Sequence, residues 1–197
     1  MQWFFDMLAA AFYAVIVQNL VFSGGYGLTE AVRMASKPKK LFSTAGMIIY
    51  FSTVTAVICR ILDFLPIIEK QNQSVHFLIF FAVLIIIYFI TGILSLIILK
   101  PNKRFMTKLA MCAMNTLVMA IPLINRRSVS TFGESIGTGF GSGIAFIVAS
   151  ILISVGFSKI AHSKKIPEPF RGTPAMFIYV AVLSMAVTGI TGSGVFA

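Results

Sequence analysis

Acidic residues are scarce, with six Asp and Glu in 197 residues against sixteen Lys and Arg. Charged residues make up 11% of the chain, where a soluble domain carries about a quarter. The apolar share is 58%, which places the chain in the membrane class. Histidine and cysteine occur twice each. Cys59 and Cys112 both sit inside apolar segments and outside any Cys-x-x-Cys pair, so zinc-ribbon and haem-attachment patterns are excluded. Asp6, Asp63, Glu69, Glu134, Glu168 and His76 fall near the ends of apolar runs or between them. A carboxylate relay inside this chain alone therefore has no residue to run through, while coordination by carbonyls and Asn stays open. The net charge of +10 does not mark a nucleic-acid binder, because the basic residues form short runs between apolar segments with no basic face or RNA-binding aromatic motif.

What the sequence does contain is six runs long enough to span a bilayer, at about 3–22, 41–59, 76–99, 105–124, 135–157 and 174–196. The N-terminus "MQWFFDMLAAAF" has no basic region before its apolar stretch, and it reads as a retained span rather than a cleaved signal. Loops one, three and five carry twelve of the Lys and Arg residues, and loops two and four carry four. The positive-inside rule puts the three basic loops in the cytoplasm and both termini outside. His76 and His162 then lie on opposite faces, and no Ser-His-acid set is assembled. The fold class expected is an all-α membrane protein of six transmembrane helices in one domain.

The stretch "VQNLVFSGGYGLTE" (17–30) places Gln18 and Asn19 in an apolar run and follows them with Gly24, Gly25 and Gly27. "MNTLVMAIPL" (114–123) repeats the pattern: Asn115 lies 96 residues after Asn19, and each Asn precedes Leu-Val directly or by one residue. Each Asn is in the first span of a three-span half, 1–99 or 100–197. Three being odd, the second half enters the membrane inverted, so the pattern suggests an inverted repeat with interrupted first and fourth helices. Such breaks meet near the midplane and build the functional site, with polar side chains covering the freed backbone groups. Gln18, Asn19, Gly24, Gly25, Thr29, Asn115 and Thr116 are the candidates for that site. The plainer alternative is that the amides only bond neighbouring helices.

Two further motifs stand out. In "ESIGTGFGSGIAF" (134–146), Gly137/Gly141 and Gly139/Gly143 are each four apart, so two helix faces are notched for close packing; they could also let the interrupted spans approach. The run lacks the Lys-Ser/Thr of a phosphate loop. "IPEPFRGTP" (166–174) reads as Thr173 capping a helix with Pro174 in its first turn. Its Pro169, Phe170, Arg171 and Gly172 either just start the last span or form a cytoplasmic docking loop, in which Arg171 would meet an acidic partner or a lipid phosphate.

With "PEPFRGTP" leading into "LSMAVTGITG", the Gly-rich fifth span and the Asn-bearing first and fourth spans, the chain resembles the Rnf/Nqr family, specifically its RnfA/NqrE-type integral membrane subunit. The resemblance implies a subunit of an ion-translocating electron-transport complex in a bacterial or archaeal cytoplasmic membrane. It also implies pairing with a homologous subunit of opposite orientation, among other Rnf/Nqr-like subunits. In the family, each such chain gives two cysteines to a shared [2Fe–2S] cluster. The matching positions here are Thr29, ten residues after the first Asn, and Thr116, directly after the second. Threonine hydroxyls do not replace thiolates at neutral pH. No cofactor is therefore expected from this chain alone, and no metal ligand, with Cys112, one helical turn before Thr116, as the only candidate for a shifted ligand. The function expected is a subunit of such a complex without its own iron–sulfur ligands; the alternative is a small-solute or ion transporter reusing the repeat. Any enzymatic role is at most that of a relay or non-catalytic subunit.

Overall fold

The computed structural model describes residues 2–99, 101–128, 130–161 and 166–192. Lys100, His162, Lys164 and Lys165 of the basic loops, and the end of the sixth run from 193 on, lie outside the described residues. The described residues form ten α-helices and no strand: α1 Gln2–Ile16, α2 Leu20–Ser23, α3 Leu28–Ala35, α4 Leu41–Asp63, α5 Pro66–Glu69, α6 Gln73–Leu99, α7 Lys103–Ala113, α8 Thr116–Arg127, α9 Phe132–Ala161 and α10 Thr173–Thr191.

Five helical stretches among them are long and apolar enough to cross a bilayer: Pro38–Asp63, Gln73–Ile98, Lys103–Arg127, Phe132–Ile160 and Thr173–Thr191. The first expected span is shorter than the rest. At 1.5 Å per residue, the 15 residues of α1 cover about 22 Å of the roughly 30 Å hydrocarbon core. The chain breaks at Val17–Asn19, re-enters helix as α2, turns through Gly24–Gly27 and continues as α3. This last helix occupies what the sequence suggested was loop. Ala31, Met34 and Ala35 recur on one face and are buried, while Glu30 and Arg33 pair one turn apart on the other.

α9 is the centre of the molecule. α1 and α4 pack along two of its faces, α3 lies against its later turns, and Ser154 Oγ donates to the Ala35 carbonyl at 3.0 Å. The glycines explain both close approaches. A Cβ at Gly141 would sit 2.5 Å from the Ala11 carbonyl oxygen of α1, and one at Gly137 would meet the Met7 carbonyl. On the other face, a Cβ at Gly139 would sit 2.8 Å from Thr53 Cα of α4. The two notched faces thus receive α1 and α4, so the second face serves the second span and not the interrupted fourth. Ser52 Oγ donates to the Gly139 carbonyl at 2.8 Å across this contact, a bond strengthened where water is absent.

α8 packs on α4, and α6 covers both. α6 is apolar all round: Phe80, Leu84 and Ile87 face inward, whereas Phe89, Ile90, Ile93 and Ile97 are exposed and suit lipid. α9 begins with a capping box, in which Glu134 Oε2 accepts from Thr131 N and Thr131 Oγ1 accepts from Glu134 N. The start of α10 differs from the sequence reading by one residue. Its N-cap is Gly172, whose φ of 81° turns the extended Arg171 segment into the helix, a conformation open to glycine; Thr173 is the first helical residue and does not cap.

Candidate functional site

Both interruptions are built the same way. Asn19 adopts φ −66°, ψ 98°, and its Oδ1 accepts from Val21 N at 3.1 Å at the start of α2. Asn115 adopts φ −76°, ψ 133°, and its Oδ1 accepts from Leu117 N at 2.9 Å at the start of α8. Each amide thus satisfies one of the N–H groups that a helix start leaves unpaired. Both Asn side chains are buried, and Asn19 Nδ2 also reaches the Ala145 carbonyl of α9 at 3.4 Å.

The two breaks touch. Gly27, buried and in the left-handed conformation at φ 74°, donates its N–H to Thr116 Oγ1 at 2.8 Å. A Cβ on Gly27 would lie 3.0 Å from Asn115 Oδ1 and 3.1 Å from Leu117 Cβ. Glycine is therefore required here for both backbone angle and space. The turn of the first interruption sits directly against the helix start of the second. Gly24, Gly25 and Tyr26 form the exposed outer side of that turn, with Thr29 exposed on α3 and Met111 and Met114 exposed nearby in sequence to Thr116.

Of the remaining candidates, Gln18 is half-buried and points to a different place. With Asn125, Thr138 and Ser142 it lines a small cavity between α1, α8 and α9. Thr138 Oγ1 donates to Asn125 Oδ1 at 2.7 Å there, and Asn125 Nδ2 and Ser142 Oγ are buried without a partner among the described residues. In the loop before α10, Pro169 and Phe170 belong to a single turn of 3-10 helix, Phe170 is exposed, and Arg171 Nε donates to the Ile166 carbonyl at 2.7 Å.

The residues at the breaks do not fit an iron–sulfur cluster. Thr116 Oγ1 is occupied as the acceptor for Gly27 N–H, and a hydroxyl is not a thiolate. Cys112 is fully buried with its Sγ 3.8 Å from the Thr44 carbonyl near the start of α4. Cys59 is buried fifteen residues farther along α4, about 22 Å up the same helix. The two thiols cannot share one cluster. Among the described residues, no three His, Cys, Asp or Glu side chains converge as metal ligands.

Sequence reasoning missed a charged cluster at the other end of α4. Asp63 is buried; its Oδ1 accepts from Arg126 Nη1 at 2.9 Å and lies 3.8 Å from Nε2 of the fully buried His76. Arg126 Nη2 donates to the Glu69 carbonyl at 2.9 Å, and His76 Nδ1 is 3.1 Å from the Asn72 carbonyl. Four helices, α4, α5, α6 and α8, are tied at one point. The only signal in the sequence is that a carboxylate, an imidazole and a guanidinium all stand near span ends on the sparsely charged side.

The Thr116 contact yields a direct expectation. Thr116→Val keeps the shape but strands the Gly27 N–H, and should lower stability by about 1–2 kcal/mol. The exposed Thr29→Val should change it by less than about 0.5 kcal/mol. Thermal unfolding in one detergent, with both variants side by side, measures the difference.

No family model matches the chain. It is 22% identical, over 191 residues covering 95% of it and 97% of the relative, to the A-type subunit of the ion-translocating oxidoreductase complex of Colwellia psychrerythraea. It is 23% identical over 181 residues, 90% of this chain and 93% of the relative, to the protein of the same name from Shewanella oneidensis. Over 84 residues, 43% of each chain, it is 32% identical to the A-type subunit of the proton-translocating ferredoxin:NAD(+) oxidoreductase complex of Clostridium ljungdahlii. The resemblance read from the sequence thus extends over nearly the whole chain.

Proposed function

We propose that this chain is an integral membrane subunit of an Rnf/Nqr-like ion-translocating electron-transport complex, one that holds no iron–sulfur ligands of its own. The observation that carries the reading is the near-complete overlap with relatives named as A-type subunits of such complexes, joined to a multi-pass helical fold with two interruptions. The inverted repeat belongs to the same proposal. It is supported by the matched caps of Asn19 and Asn115 and by the contact of the two breaks through Gly27 and Thr116. The basic loops then face the cytoplasm with both termini outside, as the distribution of Lys and Arg supports.

The partner is a homologous membrane protein of opposite orientation. Its docking surface is the exposed side of the break, Gly24 to Tyr26 with Thr29 and Met114, where small residues let a partner helix approach and Tyr26 and Met114 supply apolar contact. Here the Thr29 and Thr116 positions serve packing, because the Thr116 hydroxyl locks the turn in place of binding metal. Electrons in such an assembly travel through carriers held by other subunits.

Anaerobic purification with native partners, followed by iron analysis and EPR of the membrane pair, tests this. The expected result is co-purification with redox subunits and no reducible [2Fe–2S] signal traceable to this chain. A stoichiometric signal lost in a Cys112→Ser variant would overturn the missing-ligand part. Isolation as a pair with no redox subunit, together with solute uptake lost in Asn19→Ala and Asn115→Ala variants, would overturn the electron-transport part in favour of a transporter.

A further inference from the structure

At the basic end of the molecule, α3, the start of α4 and α7 border an open cavity of about 310 Å³. Five cations line it: Arg33, Lys37 and Lys40 from the first half of the chain, Arg104 and Lys108 from the second. No carboxylate is among the described residues that line it. The nearest on α3, Glu30, is already engaged by Arg33. Such a concentration of one sign is costly unless something of opposite charge fills the space between.

The backbone adds to the same field. α4 starts after Lys40 and α7 after Asn102, and neither start has a side-chain cap. Lys40 and Thr44 of α4 and Arg104 and Thr107 of α7 border the cavity, so the first turns of two helices, near the positive ends of their dipoles, lie beside it. Arg33 provides an independent sign of a missing acceptor. Its side chain is 37% exposed, and its Nη1 rests 3.3 Å from the Met111 thioether, a weak acceptor that a phosphate oxygen would replace. A guanidinium with donors left over is the usual partner of a phosphate or carboxylate.

We propose that this cavity binds the phosphate headgroup of an anionic lipid, held between the two halves of the chain. A phosphodiester and free phosphate share the chemistry that the cations recognise. Position favours the lipid: the cavity lies where the spans Pro38–Asp63 and Lys103–Arg127 begin, at the membrane boundary. Its apolar lining, Met34 and Met111, suits the glycerol and upper acyl chain rather than a fully hydrated ion. Lys108 Nζ, bonded to Ser43 Oγ at 2.7 Å, already bridges α7 to α4, and the headgroup extends that bridge. The proposal rests on the multi-pass membrane fold and is independent of any electron-transfer role.

The test uses the full chain within its native complex, in nanodiscs of phosphatidylcholine with or without phosphatidylglycerol. Lipid retention is read by native mass spectrometry after transfer to detergent. The wild type should retain phosphatidylglycerol. Lys37→Gln should weaken retention about fivefold, and Lys37→Gln/Lys40→Gln/Arg104→Gln about 100-fold. Lys37→Arg/Lys40→Arg, and Lys70→Gln beyond the opposite end of α4, should retain it. Unfolding temperatures in pure phosphatidylcholine establish that each variant folds, and if the triple variant does not, the exposed single variant carries the comparison. Equal retention of the two lipids by the wild type, or undiminished retention by Lys37→Gln, would overturn the proposal. Stabilisation by inorganic phosphate in phosphatidylcholine alone, matching that by phosphatidylglycerol, would assign the site to the free anion instead.

Discussion

Asp63→Ala should cost the folded protein about 3 kcal/mol, the low end of the range for breaking a buried ion pair by removing one partner. The side chain of Asp63 is 5% exposed and that of Arg126 24%, so the stranded guanidinium regains some water, and this sets the lower figure. The loss has two parts. Among the described residues, Arg126 keeps only the Glu69 carbonyl as acceptor, and His76, fully buried with Nε2 otherwise unpartnered, loses the carboxylate beside it. Arg126→Ala should cost a similar amount by leaving Asp63 buried without its main donor. The double variant should cost clearly less than the two singles added, because no charge is then left without its mate. Thermal or denaturant unfolding in detergent closes this cycle. Additive losses would show that the cluster is not coupled and that the two side chains act by packing alone.

That cluster also marks where sequence reading stops. The two breaks were legible because an Asn followed by apolar residues inside a span is a local pattern, and the helix start that it caps is a local event. The notches on α9 were legible for the same reason: a four-residue glycine spacing maps onto one helix face whatever packs there. What packs there was not. That Gly139 and Gly143 receive α4 depends on the path of the whole chain. Asp63, His76 and Arg126 stand at the ends of three helices, and they meet only if each has its observed length and tilt. α3 was readable in principle from Ala31, Met34 and Ala35, but three glycines just before it signal a loop more strongly than eight residues signal a helix. Thr116 could be placed at the break from sequence, yet its use as an acceptor for Gly27 needed the geometry of both halves at once.

The glycine contacts allow a test in which two effects have opposite signs. In a helix, Gly→Ala by itself stabilises by about 0.5–1 kcal/mol, since alanine loses less backbone freedom on folding. Gly46 in α4 and Gly189 in α10 have nothing within 4 Å of a built Cβ, so alanine there should give that gain. Gly137 and Gly141 should reverse the sign. The atoms that a methyl would strike are backbone, the Met7 and Ala11 carbonyls, and Ala11 Cα at 2.8 Å from the Gly141 position. Backbone cannot rotate aside as a side chain does, so α1 must withdraw from α9 along its length. Overpacking costs about 1–3 kcal/mol at one site, and two sites on one face push the same helix the same way. Gly137→Leu/Gly141→Leu should therefore detach α1, an apolar helix too short to span by itself, and Asn19 would lose its contact with Ala145 as the break moves. Unfolding temperature and cysteine labelling of single-Cys variants at Ala11 report the two consequences separately. If alanine at Gly141 stabilised as it does at Gly46, the close approach of α1 to α9 would be wrong. The contact between the first break and α9 would then fall with it.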